Sequence, residues 1–170
     1  MTVPNLTPPA PITSDHELGL FDSGEPSLNE WLKKRALKNQ VGGASRCFVL
    51  CVGASVIGYY SLSAGAITHE AAPKAMRRNM PDPLPVLLLG RLAIDSRYHN
   101  QGLGRALLRD AMIRAVHVAG DAGVFAILVH ALSDRARLFY LSSGFVESPL
   151  QPMTLLMTLE TVRSILAEPN

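Results

Sequence analysis

Aromatic residues make up only 6% of this 170-residue chain, and cysteine is scarcer still, limited to Cys47 and Cys51. Both cysteines fall in a stretch that reads as a β-strand, four residues and so roughly 13 Å apart. A disulfide needs Cα atoms within about 7 Å, so the pair is not bridged. No cluster of cysteine and histidine accompanies them, and they read as small core residues. His69, His117 and His130 stand far apart at no ligand spacing, so no metal is assigned. No apolar run approaches the ~18 residues that span a bilayer, which argues against a membrane protein. Residues 1–15 are rich in Pro and Thr and carry no Lys or Arg, which excludes a signal peptide. They read as a disordered lead-in to a single domain over residues 16–170, and the expected location is cytoplasmic.

Basic charge is also missing from the start of the chain. Residues 1–32 hold Asp15, Glu17, Asp22, Glu25 and Glu30 with no Lys or Arg, whereas residues 33–137 carry fifteen Lys and Arg against six acids. The net charge of +2 therefore hides a basic body, which suggests a polyanionic partner. The phosphates of a nucleotide cofactor and those of a nucleic acid would both fit, and charge alone does not separate them.

What is present is an alternation of element types. Ser27-Leu28-Asn29-Glu30 has the form of a capping box opening a helix that Gly42-Gly43 ends. Arg46–Val52 and Val56–Leu62 around Gly53-Ala54-Ser55 predict a hairpin. A short helix is expected within Ala71–Arg78, then an apolar strand over Val86–Asp95. Gly102–Ala119 shows helical apolar spacing through Leu103, Ala106, Leu107, Ala111, Ala115 and Val118. Val124–Leu132 is a buried strand, Ser133 the N-cap of a helix over Asp134–Ser142 closed by Gly144, and Met153–Leu159 a further strand. Thr161–Ala167 reads as a terminal helix. Such an order predicts an α/β fold with a mixed sheet.

The chemistry concentrates where the strand ending in Leu92-Ala93-Ile94-Asp95 runs into His99-Asn100-Gln101-Gly102-Leu103-Gly104-Arg105. Gly102 and Gly104 put no side chain in the way of a close approach, and the free N–H groups of a helix's first turn favour an anion such as pyrophosphate. A P-loop is excluded, because no Gly-Lys-Ser/Thr ending exists. The dinucleotide fingerprint is excluded too, because Leu107 stands where its third glycine belongs. Taken alone, the pair of glycines reads more simply as a turn before an ordinary helix.

The wider order of buried strand, Gly-x-Gly loop, amphipathic helix, second strand and a helix carrying Phe139-Tyr140 before Gly144-Phe145 resembles the Gcn5-related N-acetyltransferase (GNAT) family over about Val86–Phe145. That resemblance implies a mixed central sheet flanked by helices and acetyl-CoA as co-substrate. It assigns the segment Leu92–Arg105 to the cofactor. Within it, Leu92, Ala93 and Ile94 offer backbone to the pantetheine arm, and His99, Asn100, Gln101, Gly102, Leu103, Gly104 and Arg105 form the pyrophosphate loop. The family's Gln or Arg at the first loop position is His99 here. Tyr140 becomes the acid that protonates the departing CoA thiolate.

A narrower resemblance runs nearly end to end. Phe21-Asp22-Ser23-Gly24, Trp31-Leu32, Ser45-Arg46-Cys47-Phe48-Val49, Gly58-Tyr59-Tyr60, Arg78-Asn79-Met80-Pro81 and Leu89-Gly90-Arg91-Leu92-Ala93 are similar to the acetyltransferase toxins of type II toxin–antitoxin systems. It implies acetylation of the α-amine of aminoacyl-tRNA, a block on translation, neutralisation by a ribbon–helix–helix antitoxin, contact with operator DNA through that antitoxin, and a homodimer. Lys33, Lys34 and Lys38 are either a solvated face or, with Arg46, Arg77, Arg78 and Arg91, a track for tRNA phosphates. Arg91 stands out as a charge inside an apolar run, costly unless it points into a cleft. Glu70, Asp82 and Asp95 are candidates for a general base but read more simply as loop or surface charges. An α-amine, with a pKa near 7.7–8.0, is partly neutral at pH 7 and can do without one. The alternatives are a GNAT enzyme acting on a small amine or a protein N-terminus, and a catalytically silent binding module.

Overall fold

The computed structural model describes residues 3–169, whose strands join in one mixed seven-stranded sheet, in the order Leu6–Pro11 (β1), Arg46–Val52 (β2), Ser55–Ile67 (β3), Leu84–Ile94 (β4), Ala126–His130 (β5), Thr154–Thr158 (β7) and Val146–Glu147 (β6). The chain groups into two compact units, one up to Ser63 with Gly90–Ala111 and the other Ala64–Leu89 with Met112 onward. Among the described residues no helix is long and apolar enough to cross a membrane.

In the first unit, β1 (Leu6–Pro11) pairs antiparallel with β2 (Arg46–Val52), and β2 pairs antiparallel with β3 (Ser55–Ile67). The lead-in expected to be disordered over residues 1–15 thus contains a strand at Leu6–Pro11, followed by the buried Ile12. Proline hid it, since Pro8, Pro9 and Pro11 read as breakers in sequence, yet an edge strand tolerates residues that donate no ladder hydrogen bond. Helix α1 (Pro26–Lys34) starts ahead of the expected capping box. Pro26 supplies the preset φ of a first helical residue, Glu25 is the N-cap, and Asn29 accepts from the Ser23 amide instead. The single expected helix is broken at Arg35 into α1 and α2 (Ala36–Gly42), which ends on Gly43 in the left-handed conformation.

This unit's core forms around Tyr59. Its ring stacks on Trp31 at 5.8 Å, meets Phe21 edge-on at 5.6 Å, and its hydroxyl donates to the Leu28 carbonyl at 2.7 Å. Cys47 and Cys51 are free thiols buried in the same cluster, and burial pushes the Cys47 thiol up to about 12.

Strand β4 (Leu84–Ile94) lies in the second unit up to Leu89 and there runs parallel to β5 (Ala126–His130), from Val86↔Ala126 to Leu89↔Val129. Strand β5 pairs antiparallel with β7 (Thr154–Thr158), which carries the short edge strand β6 (Val146–Glu147). Ile67, Ala72, Leu84, Val86, Ala126, Leu128 and Leu156 form this unit's core. The short helix expected within Ala71–Arg78 is α3 (Lys74–Arg77), preceded by a 3₁₀ turn at His69–Ala71, with Ala72 extended as the residue before a proline requires. Helix α4 (Leu103–Asp121) follows β4, and α5 (Asp134–Ser142) follows β5 with Ser133 capping the Ala136 amide. The last helix, α6 (Leu159–Ala167), is capped by Thr158.

Gly58 sits at a close-packed point of the first unit. A Cβ there would lie 2.7 Å from Ile94 Cδ1, 3.2 Å from Leu107 Cδ1 and 3.3 Å from the Ala93 carbonyl. Gly58→Ala is therefore expected to destabilise the fold by about 1–3 kcal/mol, the usual cost of overpacking. Urea unfolding followed by circular dichroism measures it, and an unchanged midpoint would show that the core yields freely at this point.

Candidate active site

The glycine loop is built by local hydrogen bonding. Asp95 caps a 3₁₀ turn at Ser96–Tyr98 by accepting from the Arg97 amide. His99 then folds inward, its Nε2–H donating to the Ile94 carbonyl at 2.7 Å, and so closes the loop onto the end of β4. At the position where the family carries Gln or Arg, the imidazole fixes loop shape. Asn100 and Gly102 both take positive φ, 61° and 78°, which turns the chain sharply into α4. A Cβ on Gly102 would meet nothing within 4 Å, so glycine is needed there for its φ and the space beside the loop is open. The Ala106 N–H donates to the Gly102 carbonyl as α4 begins, and the first-turn amides of a helix point along its axis toward whatever precedes it. Open space beside Gly102, at the start of a helix, is compatible with a pyrophosphate. The side chains of Ala93, Ile94 and Leu103 are buried, Leu92 and Gln101 are half-buried, and Asn100 and Arg105 are exposed. Strand residues 92–94 therefore have chiefly backbone to offer a ligand.

Behind this loop lies a clasp that sequence reasoning missed. Asp95 is 1% exposed, not the surface charge expected of it. Its carboxylate accepts from the Asp22 amide and from the Arg97 amide and guanidinium, at 2.9–3.1 Å. In return the Asp22 carbonyl accepts from the amide and hydroxyl of Ser96, both at 2.8 Å. Asp22 Oδ1 accepts from the Gly24 amide and from Asn29 Nδ2, and Ser23 donates to Asn29 Oδ1. The signal was present in Asp22-Ser23-Gly24, a turn in which aspartate bonds its own backbone two residues on. Burial works to raise the Asp95 carboxyl, but the Arg97 side chain and the Arg97 and Asp22 amides outweigh it and hold it below the ordinary value. Asp22 is held low by the Gly24 amide and the Asn29 side chain.

Tyr140 belongs to the second unit. Its ring, 6% exposed, packs edge-on between Phe139 at 5.2 Å and Phe145 at 5.3 Å. Burial pushes the phenol well above its usual range, so it stays protonated. Gly144, at φ 108°, ends α5 and turns Phe145 back against Tyr140.

The basic residues divide. Lys33, Lys34 and Lys38 are exposed on α1 and α2, Lys34 paired with Glu30 at 3.1 Å. Arg46 at the start of β2 donates to the Gln40 carbonyl at 2.8 Å, so these four share one unit. Arg91 does not extend freely: its guanidinium lies 4.2 Å over the Trp31 ring. In the other unit Arg78 is exposed, while Arg77 donates to the Ala72 carbonyl at 2.9 Å. Among the described residues, no group of three or more His, Cys, Asp and Glu could hold a metal ion.

Residues 43–147, more than half the chain, match the family model of the acetyltransferase (GNAT) domain. The chain belongs to the GNAT acetyltransferase family. Among GNAT relatives, it is 48% identical over 160 residues to a tRNA-acetylating toxin of Mycobacterium tuberculosis, covering 94% of this chain and 96% of that one. Its fold is similar to AtaT complexed with acetyl-methionyl-tRNA, with a TM-score of 0.88 and 28% identity over 95% of this chain and 99% of that one. It is also similar to a tyrosine-to-phenylalanine mutant of AtaT bound to the C-terminus of the antitoxin AtaR and acetyl-CoA, with a TM-score of 0.84 and 26% identity over 96% and 99%.

The clasp makes the stability of this GNAT chain pH-dependent. Because the folded carboxyls of Asp95 and Asp22 sit below their unfolded values, their contribution is present above about pH 4 and is lost as pH falls through the folded values. Asp95→Asn is expected to cost about 1–3 kcal/mol at neutral pH and to flatten part of the acid-side decline. Urea midpoints measured from about pH 7 to about pH 2 test this, and parallel curves for the two chains would contradict it.

Proposed function

We propose that this chain is an acetyl-CoA-dependent N-acetyltransferase toxin that acetylates the α-amine of aminoacyl-tRNA and so blocks translation. The observation that carries the reading is the 48% identity, across nearly the whole of both chains, to a tRNA-acetylating toxin. Structural similarity to AtaT with its acetylated tRNA product supports the same substrate class. The antitoxin in the AtaT–AtaR–acetyl-CoA complex supports neutralisation by a cognate antitoxin. We assign that antitoxin to the ribbon–helix–helix class, with operator DNA contacted through it, and place the reaction in the cytoplasm.

Each residue's role follows from its setting. The backbone of Leu92–Ile94 pairs with the pantetheine arm, and the loop from His99 to Arg105 holds the pyrophosphate through amides at the start of α4. Tyr140 protonates the sulfur as the C–S bond breaks. Its buried phenol keeps its proton at neutral pH and hands it over once a thiolate, a stronger base than water, develops nearby. Lys33, Lys34, Lys38 and Arg46, with Arg77 and Arg78 in the other unit, supply positive charge for tRNA phosphates. Arg91 acts through Trp31, stiffening the α1 side of that surface.

Tyr140→Phe separates chemistry from binding. Turnover is expected to fall about 10²-fold or more with acetyl-CoA affinity, read by calorimetry, nearly unchanged. The wild-type kcat is expected to show no alkaline loss from this phenol below about pH 10, since burial moves it upward from the ordinary tyrosine value. Expressed without an antitoxin, the wild type should arrest bacterial growth and the variant should not. Equal turnover in the two proteins would remove Tyr140 from the acid's role.

A further inference from the structure

The proposed reaction names an acid for the leaving thiolate but no acceptor for the proton of the incoming amine, and the second unit contains a group built for that task. His130 is the last residue of β5 and follows directly on Val129, the end of the β4–β5 register. The four preceding residues of β5 are buried, and His130 is exposed. Three residues, Ala131, Leu132 and Ser133, separate it from the helix that carries Tyr140. In parallel α/β arrangements, ligands gather at this carboxyl end of the strands.

Its imidazole is held by a directional chain. The Thr154 hydroxyl donates its one proton to Gln151 Oε1 at 3.0 Å. Having spent that proton, Thr154 Oγ1 can only accept from His130 Nδ1, which lies 2.9 Å away. The ring is thereby set as the Nδ1–H tautomer, with the Nε2 lone pair outside the Thr154 contact. Backbone pairing makes the chain rigid: His130 faces Thr154 across the β5–β7 register, and the Thr154 amide donates to the Gln151 carbonyl at 3.0 Å. Thr154 is 5% exposed, so water does not readily compete for its hydroxyl. A base oriented by a second group that fixes its tautomer is the arrangement acyl-transfer sites use for their histidines.

We propose that His130 Nε2 accepts the proton of the substrate ammonium, with Thr154 and Gln151 as its positioning residues. The claim rests on the amine-acetylation reading above. Nε2 takes one proton from the ammonium. The freed nitrogen lone pair forms the C–N bond to the acetyl carbon while the C–S bond breaks, and the Tyr140 hydroxyl protonates the sulfur. The nitrogen's second surplus proton returns through water to the Tyr140 oxygen, and His130 releases its proton to solvent. The balance is one amide, one thiol and one proton released.

Two measurements test it. In the chain alone, long-range ¹H–¹⁵N NMR of labelled imidazole should show His130 as the Nδ1–H tautomer, and Thr154→Val should erase that preference. In single-turnover transfer from labelled acetyl-CoA, His130→Ala should keep acetyl-CoA affinity and lose about 10²-fold in rate at about pH 6. The deficit should narrow several-fold by about pH 8, where an α-amine sheds its own proton. Added imidazole should restore rate to the variant and not to the wild type. A variant that binds acetyl-CoA yet transfers within threefold of wild type overturns the proposal, as does a deficit that is constant with pH and indifferent to imidazole. The ratio is read on whichever amine the wild type acetylates. A wild type active on a small amine and inert on charged tRNA would sink the substrate reading while leaving the His130 test intact.

Discussion

The carboxylate of Asp95 is buried yet stays charged because N–H groups from Asp22 and Arg97 converge on both of its oxygens. A charge taken out of water is costly unless it is fully hydrogen-bonded, so this junction tolerates little rearrangement. It joins the segment before α1, the end of β4 and the turn that leads into the glycine loop. His99 completes the junction from the far side by bonding the Ile94 carbonyl. With both contacts in place, Asn100 and Gly102 have one way to turn the chain, and the start of α4 is aimed by the fold before any ligand arrives. Pre-organisation of this sort spares a bound pyrophosphate the cost of ordering the loop.

The basic charge sorts by the same criterion of what each residue is already bonded to. Arg97 is committed to Asp95, Arg77 to a backbone carbonyl and Arg91 to the face of Trp31. Burial lowers the Arg91 guanidinium, with Tyr59 and Cys47 opposing, but a guanidinium stays charged in any protein setting. By contrast, the Lys34–Glu30 pair is exposed on both sides, at 70% and 62%, and such pairs hold their partners weakly. Lys33, Lys34 and Lys38 therefore remain available to an outside polyanion. The excess positive charge in the sequence is thus partly bonded within the fold and partly exposed to solvent.

Much of the architecture was legible because it follows local rules. The Ser133 N-cap and the span of α5 came from capping preference alone, and period 3.6 gave the buried α4 positions Leu103, Leu107, Ala111 and Ala115, while Ala106 and Val118 of the same stripe are exposed. The mixed sheet followed from the alternation of element types. What was not legible depends on distant partners. β1 is a strand only because β2 lies beside it, and no run of six residues containing three prolines announces that. The register of Ser27-Leu28-Asn29-Glu30 was misread because Pro26 starts the helix earlier and Asn29 is drawn to Ser23. Asp95 was read as a surface charge because its satisfaction comes from Asp22, 73 residues away. Tyr140 was legible as a residue, through its place before Gly144-Phe145, but its aromatic enclosure was not. His130 has no neighbour at ligand spacing in the sequence; its partner Thr154 is 24 residues on and meets it only across the β5–β7 ladder.

The central claim is that this chain transfers an acetyl group to the α-amine of an amino acid esterified to tRNA. Mass spectrometry of the aminoacyl-adenosines released by nuclease, after incubation of the chain with acetyl-CoA and a mixture of charged tRNAs, tests it directly. The account predicts at least one N-acetylaminoacyl-adenosine, carried on the amine, that is absent from controls lacking acetyl-CoA. Unmodified aminoacyl-adenosines for every amino acid, from a preparation that acetylates a small amine or a peptide N-terminus, would contradict it.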